Sequence, residues 1–159
     1  MRSIAPHSFK APWSRSLVLL SWGSTLVLLA ATGVLYAHGP AWVVPVPLLV
    51  LAGTAPFTIR GYEVGPDSLV VRRLFWDTIL PLAGLVSAEA DPRAMKGSLR
   101  TAGNGGLFSF TGYYSNRALG DYRALVTDPA RAVVLRFPTE TLVVSPEDPQ
   151  AFVAALGRP

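Results

Sequence analysis

The chain contains no cysteine, so disulfides, thiolate nucleophiles and cysteine metal ligands are all excluded. It has only two histidines, His7 near the N-terminus and His38 in a turn between two apolar runs. Both are expected to lie apart from the C-terminal half. A Ser/His/Asp triad or a histidine-based zinc site is therefore not expected there. Charge is scarce as well: 15% of residues are charged, against the usual quarter. No acidic residue precedes Glu63, and Ser16 to Ile59 carry no Lys, Arg, Asp or Glu at all. The net charge of +4 comes from Arg2, Lys10, Arg15 and Arg60, because residues 61–159 balance ten basic against ten acidic side chains. A neutral C-terminal half argues against nucleic-acid binding, which favours a net basic domain.

The chain is rich in long apolar runs. "LVLLSWGSTLVLLAATGVLYA" covers residues 17–37, about the 20 residues that a helix needs to cross a hydrocarbon core. "HGP" then breaks it, and "AWVVPVPLLVLAGTAPF" covers residues 41–57. Trp13, Tyr36, Trp42 and Phe57 mark the ends of the two runs, where interfacial aromatics are expected. Two other readings compete. A cleaved signal peptide has a core of about 7–15 apolar residues, shorter than this run. A buried helical hairpin of a soluble protein would be expected to keep some polar face. The runs predict a membrane hairpin. Basic residues flank it at both outer ends and are missing from "HGP", so both termini are expected in the cytoplasm.

After residue 58 the pattern turns to short β-favouring runs. Strands are expected at 57–64, 68–76, 78–90, 106–112, 122–128, 132–137 and 141–145, with an irregular stretch at 91–99 and a loop at 113–121. Short turns between them point to an antiparallel sandwich or barrel. "SPEDPQAFVAALG" predicts a closing helix, with Ser145 as N-cap, Pro146 at the first position and Gly157 past the end.

The stretch "RTAGNGG" invites a phosphate-loop reading. A dinucleotide fingerprint would need glycine at position 108, where Phe108 stands, and a P-loop would need Gly-Lys-Ser/Thr. Asn104-Gly105 is instead a type I′ hairpin signal, making Gly103, Asn104, Gly105 and Gly106 a turn. The spare glycines also leave room for a close approach to the backbone. Arg93, Lys96 and Arg100 are the candidate contacts to anionic head groups, against the plainer and favoured reading of a solvated face neutralised by Glu89 and Asp91.

"DSLVVRR" (67–73), "RTAGNGGLFSFTGYYSN" (100–116), "LGDYRALVTD" (119–128) and "VVSPEDPQAFVAAL" (143–156) come in an order that resembles the small bacterial PH-domain membrane proteins. The resemblance implies a two-helix transmembrane hairpin followed by a mainly-β PH-like domain of about seven antiparallel strands, a partly open barrel or sandwich with a C-terminal capping helix. It carries over no functional residues. The expected plan is a cytoplasmic tail at 1–16, transmembrane helices at 17–37 and 42–57, a short extracytoplasmic loop at 38–41 and a cytoplasmic PH-like domain at 58–157. The expected protein is a multi-pass cell-membrane protein and not an enzyme, with no catalytic, cofactor-binding or metal-binding residues. Its expected partners are the bilayer and a protein partner or second copy, with anionic lipid as the alternative ligand and no nucleic acid.

Overall fold

A computed structural model describes residues 7–157; Arg2, one of the basic residues that precede the first apolar run, lies outside them. The described residues form two β-sheets, a long N-terminal helix and a closing C-terminal helix. The first sheet holds β1 (His7–Lys10), β2 (Ile59–Val64), β3 (Ser68–Arg73) and β4 (Asp77–Pro81) in chain order, every pair antiparallel. The second holds β5 (Ser87–Ala90), β6 (Leu99–Gly105), β7 (Phe110–Asn116), β8 (Gly120–Val126), β9 (Val133–Arg136) and β10 (Thr141–Val144), in the order β5-β9-β10-β8-β7-β6. The expectation of about seven antiparallel strands is corrected to ten among the described residues, and one pair is parallel. That pair arises because β10 inserts between β8 and β9, beside β8 in the same direction.

The extra strands come from places where the sequence reads as tail, turn or loop. The tail at 1–16 is not free: His7–Lys10 add an edge strand to β2, with Phe9 opposite Tyr62. His7, expected apart from the domain, is thus part of its first sheet. The single strand expected at 78–90 is two strands in different sheets. Pro81 ends β4, and Gly84, at a φ of +83, helps the chain cross to the second sheet. The loop expected at 113–121 is mostly strand, with only 117–119 left as the connection between β7 and β8.

Alternation along the central strands fills two clusters. Leu125, Val133, Leu135, Leu142 and Val144 meet Ile59, Tyr62, Leu69 and Val71 of the first sheet, and Phe152 joins them. Ala124, Val126, Val134 and Val143 point the other way, to Tyr114, Tyr122 and Ala94. A strand covered on both faces needs apolar residues at every position, which is why "ALV", "VVL" and "LVV" run without a break. Tyr62, fully buried, donates its hydroxyl hydrogen bond to the Leu125 carbonyl at 2.7 Å and accepts one from the Ser145 amide at 3.2 Å.

The closing helix α3 (Pro149–Leu156) starts one capping motif later than expected. Asp148 accepts from the Ala151 amide at 2.9 Å and Pro149 opens the helix. Ser145 is engaged elsewhere: its buried hydroxyl accepts from the Thr127 amide at 2.8 Å, so it cannot serve as the cap. Gly157 ends the helix in the left-handed region, as expected. Phe152 seats α3 on the core, edge-on to Phe9 and Tyr62.

In front of the domain stands α1 (Arg15–His38), 24 residues long, charge-free after Arg15 and largely exposed. Ser14 caps it by accepting from the Leu17 amide. Among the described residues it is the one helix long and apolar enough to cross a membrane. The second apolar run is helical but broken. It contains α2 (Val46–Thr54), between two short 3-10 turns at Ala41–Val43 and Ala55–Phe57. Pro45 and Pro47 at its start, and Pro56 in the second turn, account for the breaks.

Candidate functional site

A cleft of about 660 Å³ opens between the edges of the two sheets, beside the end of the helical segment. Thr54 and Phe57 close one side, Arg73, Trp76 and Thr78 come from the first sheet, and Arg100, Tyr113 and Arg123 from the second. Three arginines thus converge from β3, β6 and β8.

Arg73 is the most constrained of them. Arg72 and Arg73 are neighbours on one strand and so point to opposite faces. Arg72 stays outside, paired with Glu63 at 2.8 Å and with Asp77. Arg73 turns inward and is only 7% exposed. Its Nε donates to Thr78 Oγ1 at 3.0 Å and its Nη1 to the Phe57 carbonyl at 3.2 Å. Its guanidinium sits 5.7 Å from the Phe57 ring and 5.9 Å from the Trp76 ring, and those two rings meet edge to face at 5.3 Å. Burial pushes the Arg73 pKa down, and the nearby Arg123 charge adds to that effect.

Arg100 lies on the edge strand β6 with its guanidinium running back over Gly105. A Cβ at residue 105 would stand 2.6 Å from Arg100 Nη1. Arg123 projects from β8 opposite Tyr113 of β7. Among the described residues no carboxylate pairs with Arg73, Arg100 or Arg123, although the surface cations Arg72 and Arg131 both have acidic partners. Cations gathered without a counter-charge in a half-enclosed, aromatic-rimmed cleft suit an anion with several oxygens, which guanidinium forks can bind bidentately.

The structure separates the three candidate contacts read from the sequence. Arg100 lines the cleft. Arg93 and Lys96 do not; both are exposed in the turn at 91–98, where the Arg93 amide donates to Asp91 Oδ1 at 2.8 Å. That turn covers the second cluster through Ala94 and Met95. Arg73 and Arg123 were missed, because their convergence depends on register between sheets. Adjacency on one strand sends Arg72 and Arg73 to opposite faces, but which of them turns inward is decided by the packing of the sheets.

The glycine stretch needs correction. Gly103, Asn104 and Gly105 belong to β6 and pair with Gly112, Thr111 and Phe110 of β7, so Asn104-Gly105 is no type I′ turn. The chain reverses at 106–109, where the Gly106 amide donates to the Ser109 carbonyl at 3.2 Å. The glycines serve a close approach of backbones. A Cβ on Gly103 would fall 2.4 Å from the Thr111 carbonyl oxygen, and one on Gly112 2.2 Å from that of Ala102. Asn104 instead ties the loop, accepting from the Leu107 amide at 3.1 Å and donating to the Leu107 carbonyl.

No group of His, Asp and Glu among the described residues is arranged to hold a metal ion. No curated protein and no solved structure matches the chain. The family model for the bacterial PH domain does match, over residues 60–158, which takes in β2 to β10 and α3. With most of its length matched, the chain belongs to the bacterial PH domain family.

Proposed function

We propose that this chain is a non-catalytic, two-pass membrane protein whose PH-like domain holds an anionic, phosphate-bearing head group in the arginine cleft. The observation that carries the proposal is the meeting of Arg73, Arg100 and Arg123 without a carboxylate partner, next to the residue where the apolar segment ends. Phe57 closes both that segment and one wall of the cleft, so the cleft opens at the level where head groups lie. Trp76 and Phe57 suit an interfacial position. Among the described residues the unpaired arginines favour a head group over the other expectation, a protein partner or self-assembly.

Chain connectivity supports the two-pass arrangement. At 1.5 Å per residue, α1 extends about 36 Å, more than the roughly 30 Å of a hydrocarbon core. β1 precedes α1 and pairs with β2, which follows the second apolar run, so both ends of the segment meet in one sheet. A chain that crosses on α1 therefore crosses back before Ile59, through α2 and its flanking turns. This return is short, and tilt or local thinning of the bilayer accommodates such a length. The basic residues beside that sheet, Arg15, Arg60, Arg72 and Arg73, support a cytoplasmic side for it under the positive-inside rule.

Thermal unfolding of the full chain in neutral detergent tests the proposal. Short-chain phosphatidylglycerol or phosphatidic acid should raise the unfolding temperature, and phosphatidylcholine of the same chain length should not. Equal shifts with all three lipids would refute head-group selectivity.

A further inference from the structure

We propose that the tip of the β6–β7 hairpin, residues 106–109, is a third membrane-embedded element, immersed in acyl chains against α1. The proposal rests on the reading of α1 as a membrane-spanning helix. Leu17 and Ser21 are the buried residues of α1, one turn apart on one face. Ser21 is bonded to the hairpin: its hydroxyl accepts from the Phe108 amide at 3.0 Å and reaches the Gly106 carbonyl at 3.3 Å. Leu107 lines an apolar groove with Leu20, Gly23 and Val27, and Trp13 packs on Phe108 with ring centroids 6.3 Å apart. Gly23 and Val27 lie about 12 and 18 Å along the helix from Arg15, well inside its charge-free part. The hairpin therefore reaches beside the apolar body of α1, past its basic end.

A loop at that depth must satisfy its own backbone, because hydrocarbon offers no hydrogen bonds. This one does so at five groups. The Gly106 amide donates to the Ser109 carbonyl, and the Gly106 carbonyl accepts from Ser21. The Leu107 amide and carbonyl are both taken by the Asn104 side chain. The Phe108 amide donates to Ser21. Phe108 also holds a φ of +66, a strained value for a side-chain-bearing residue that glycine would adopt freely. An apolar ring kept at that cost points to a use for the ring. No charged residue occurs from Thr101 to Asn116, so the tip itself carries no charge; the nearest is Arg100, whose guanidinium reaches Gly105 at the base of the tip.

The absence of cysteine makes the test direct. Single variants L107C, L26C and E140C of the full chain are spin-labelled and reconstituted in vesicles of phosphatidylcholine and phosphatidylglycerol. Collision with oxygen is then compared with collision with a water-soluble nickel chelate. The label at 107 should favour oxygen as the label at 26 does, and the label at 140 should favour the chelate. A label at 107 that behaves like the one at 140, with 26 still in the bilayer, overturns the hairpin proposal and leaves the anchor intact. If 26 also favours the chelate, the anchor reading falls and this proposal with it. The unmodified protein gives a second reading that does not depend on variants folding. A photoactivatable acyl-chain probe should leave adducts on residues 106–109 as well as on α1. Adducts on α1 without any at the tip would overturn the proposal.

Discussion

Tyr62 shows how much a single buried polar group contributes to this fold. Its hydroxyl ties β2 to the Leu125 carbonyl and to the Ser145 amide, joining the two sheets. Tyr62→Phe should leave those partners unsatisfied and cost about 1–3 kcal/mol, read from thermal unfolding. Burial raises the Tyr62 pKa to about 12, and that of Tyr114 to about 12 as well, from an unfolded value near 10. The folded state then holds these protons more tightly than the unfolded chain. Their contribution to stability should be fully present below pH 10 and lost as pH rises through 12. A flat unfolding temperature across that window would contradict the assignment. The glycines offer a second contrast. Gly112 and Gly120 both have positive φ, but a Cβ at Gly112 would meet the Ala102 carbonyl at 2.2 Å, whereas one at Gly120 would meet nothing within 4 Å. Gly120→Ala should cost about 1–2 kcal/mol from conformation alone. Gly112→Ala should cost clearly more, because the β6 backbone must move. Equal unfolding temperatures for the two variants would refute the close-approach account.

At the scale of elements, what could be read from the sequence depended on whether local chemistry or distant contact decides. The apolar body of α1, strands β2, β3, β9 and β10, and the Gly157 end of α3 all follow from local patterns. The start of α3 did not, because Ser145-Pro146 and Asp148-Pro149 are equally good capping motifs in isolation. Tertiary structure chose between them by occupying Ser145 with the amides of Thr127 and Asp128. Asp148→Ala should therefore cost about 1 kcal/mol as a lost cap. Ser145→Ala should cost about 1–3 kcal/mol, since it strands a buried amide. The reverse order in unfolding temperature would restore the earlier helix start. β1 was unreadable for a similar reason: "HSFK" is too short to announce a strand, and its pairing partner β2 lies about fifty residues away, beyond the apolar segment. β6 was hidden because its glycines, which serve contact with β7, look like turn residues. Of the candidate site, Arg100 could be read locally, whereas Arg73 turns inward only through the packing of the two sheets. Arg123 joined them only through the register of β7 and β8.

For the whole molecule, α1, the hairpin tip and the cleft describe a domain locked against its own apolar segment. β1 and the Ser14 amide, which donates to the Thr127 carbonyl at 3.2 Å, hold the entry to α1 on the domain. Ser21 holds the hairpin, and Phe57 meets Arg73 where the apolar segment ends. On the proposed two-pass reading, such an arrangement keeps the cleft at a constant height relative to the bilayer, so that a lipid is gripped without leaving it. Arg100 and Arg123 are the residues to remove, since Arg73 also supports the fold through Thr78 and Phe57. At about 1 kcal/mol for each arginine near head groups, the double variant R100Q/R123Q should bind anionic lipid roughly thirtyfold more weakly. The most direct measurement is native mass spectrometry of the full chain, released from mixed micelles of phosphatidylcholine and phosphatidylglycerol. The wild type should retain phosphatidylglycerol in preference to phosphatidylcholine, and R100Q/R123Q should lose that preference while still folded. Equal retention of the two lipids by the wild type, or an unchanged preference in the double variant, would contradict the account.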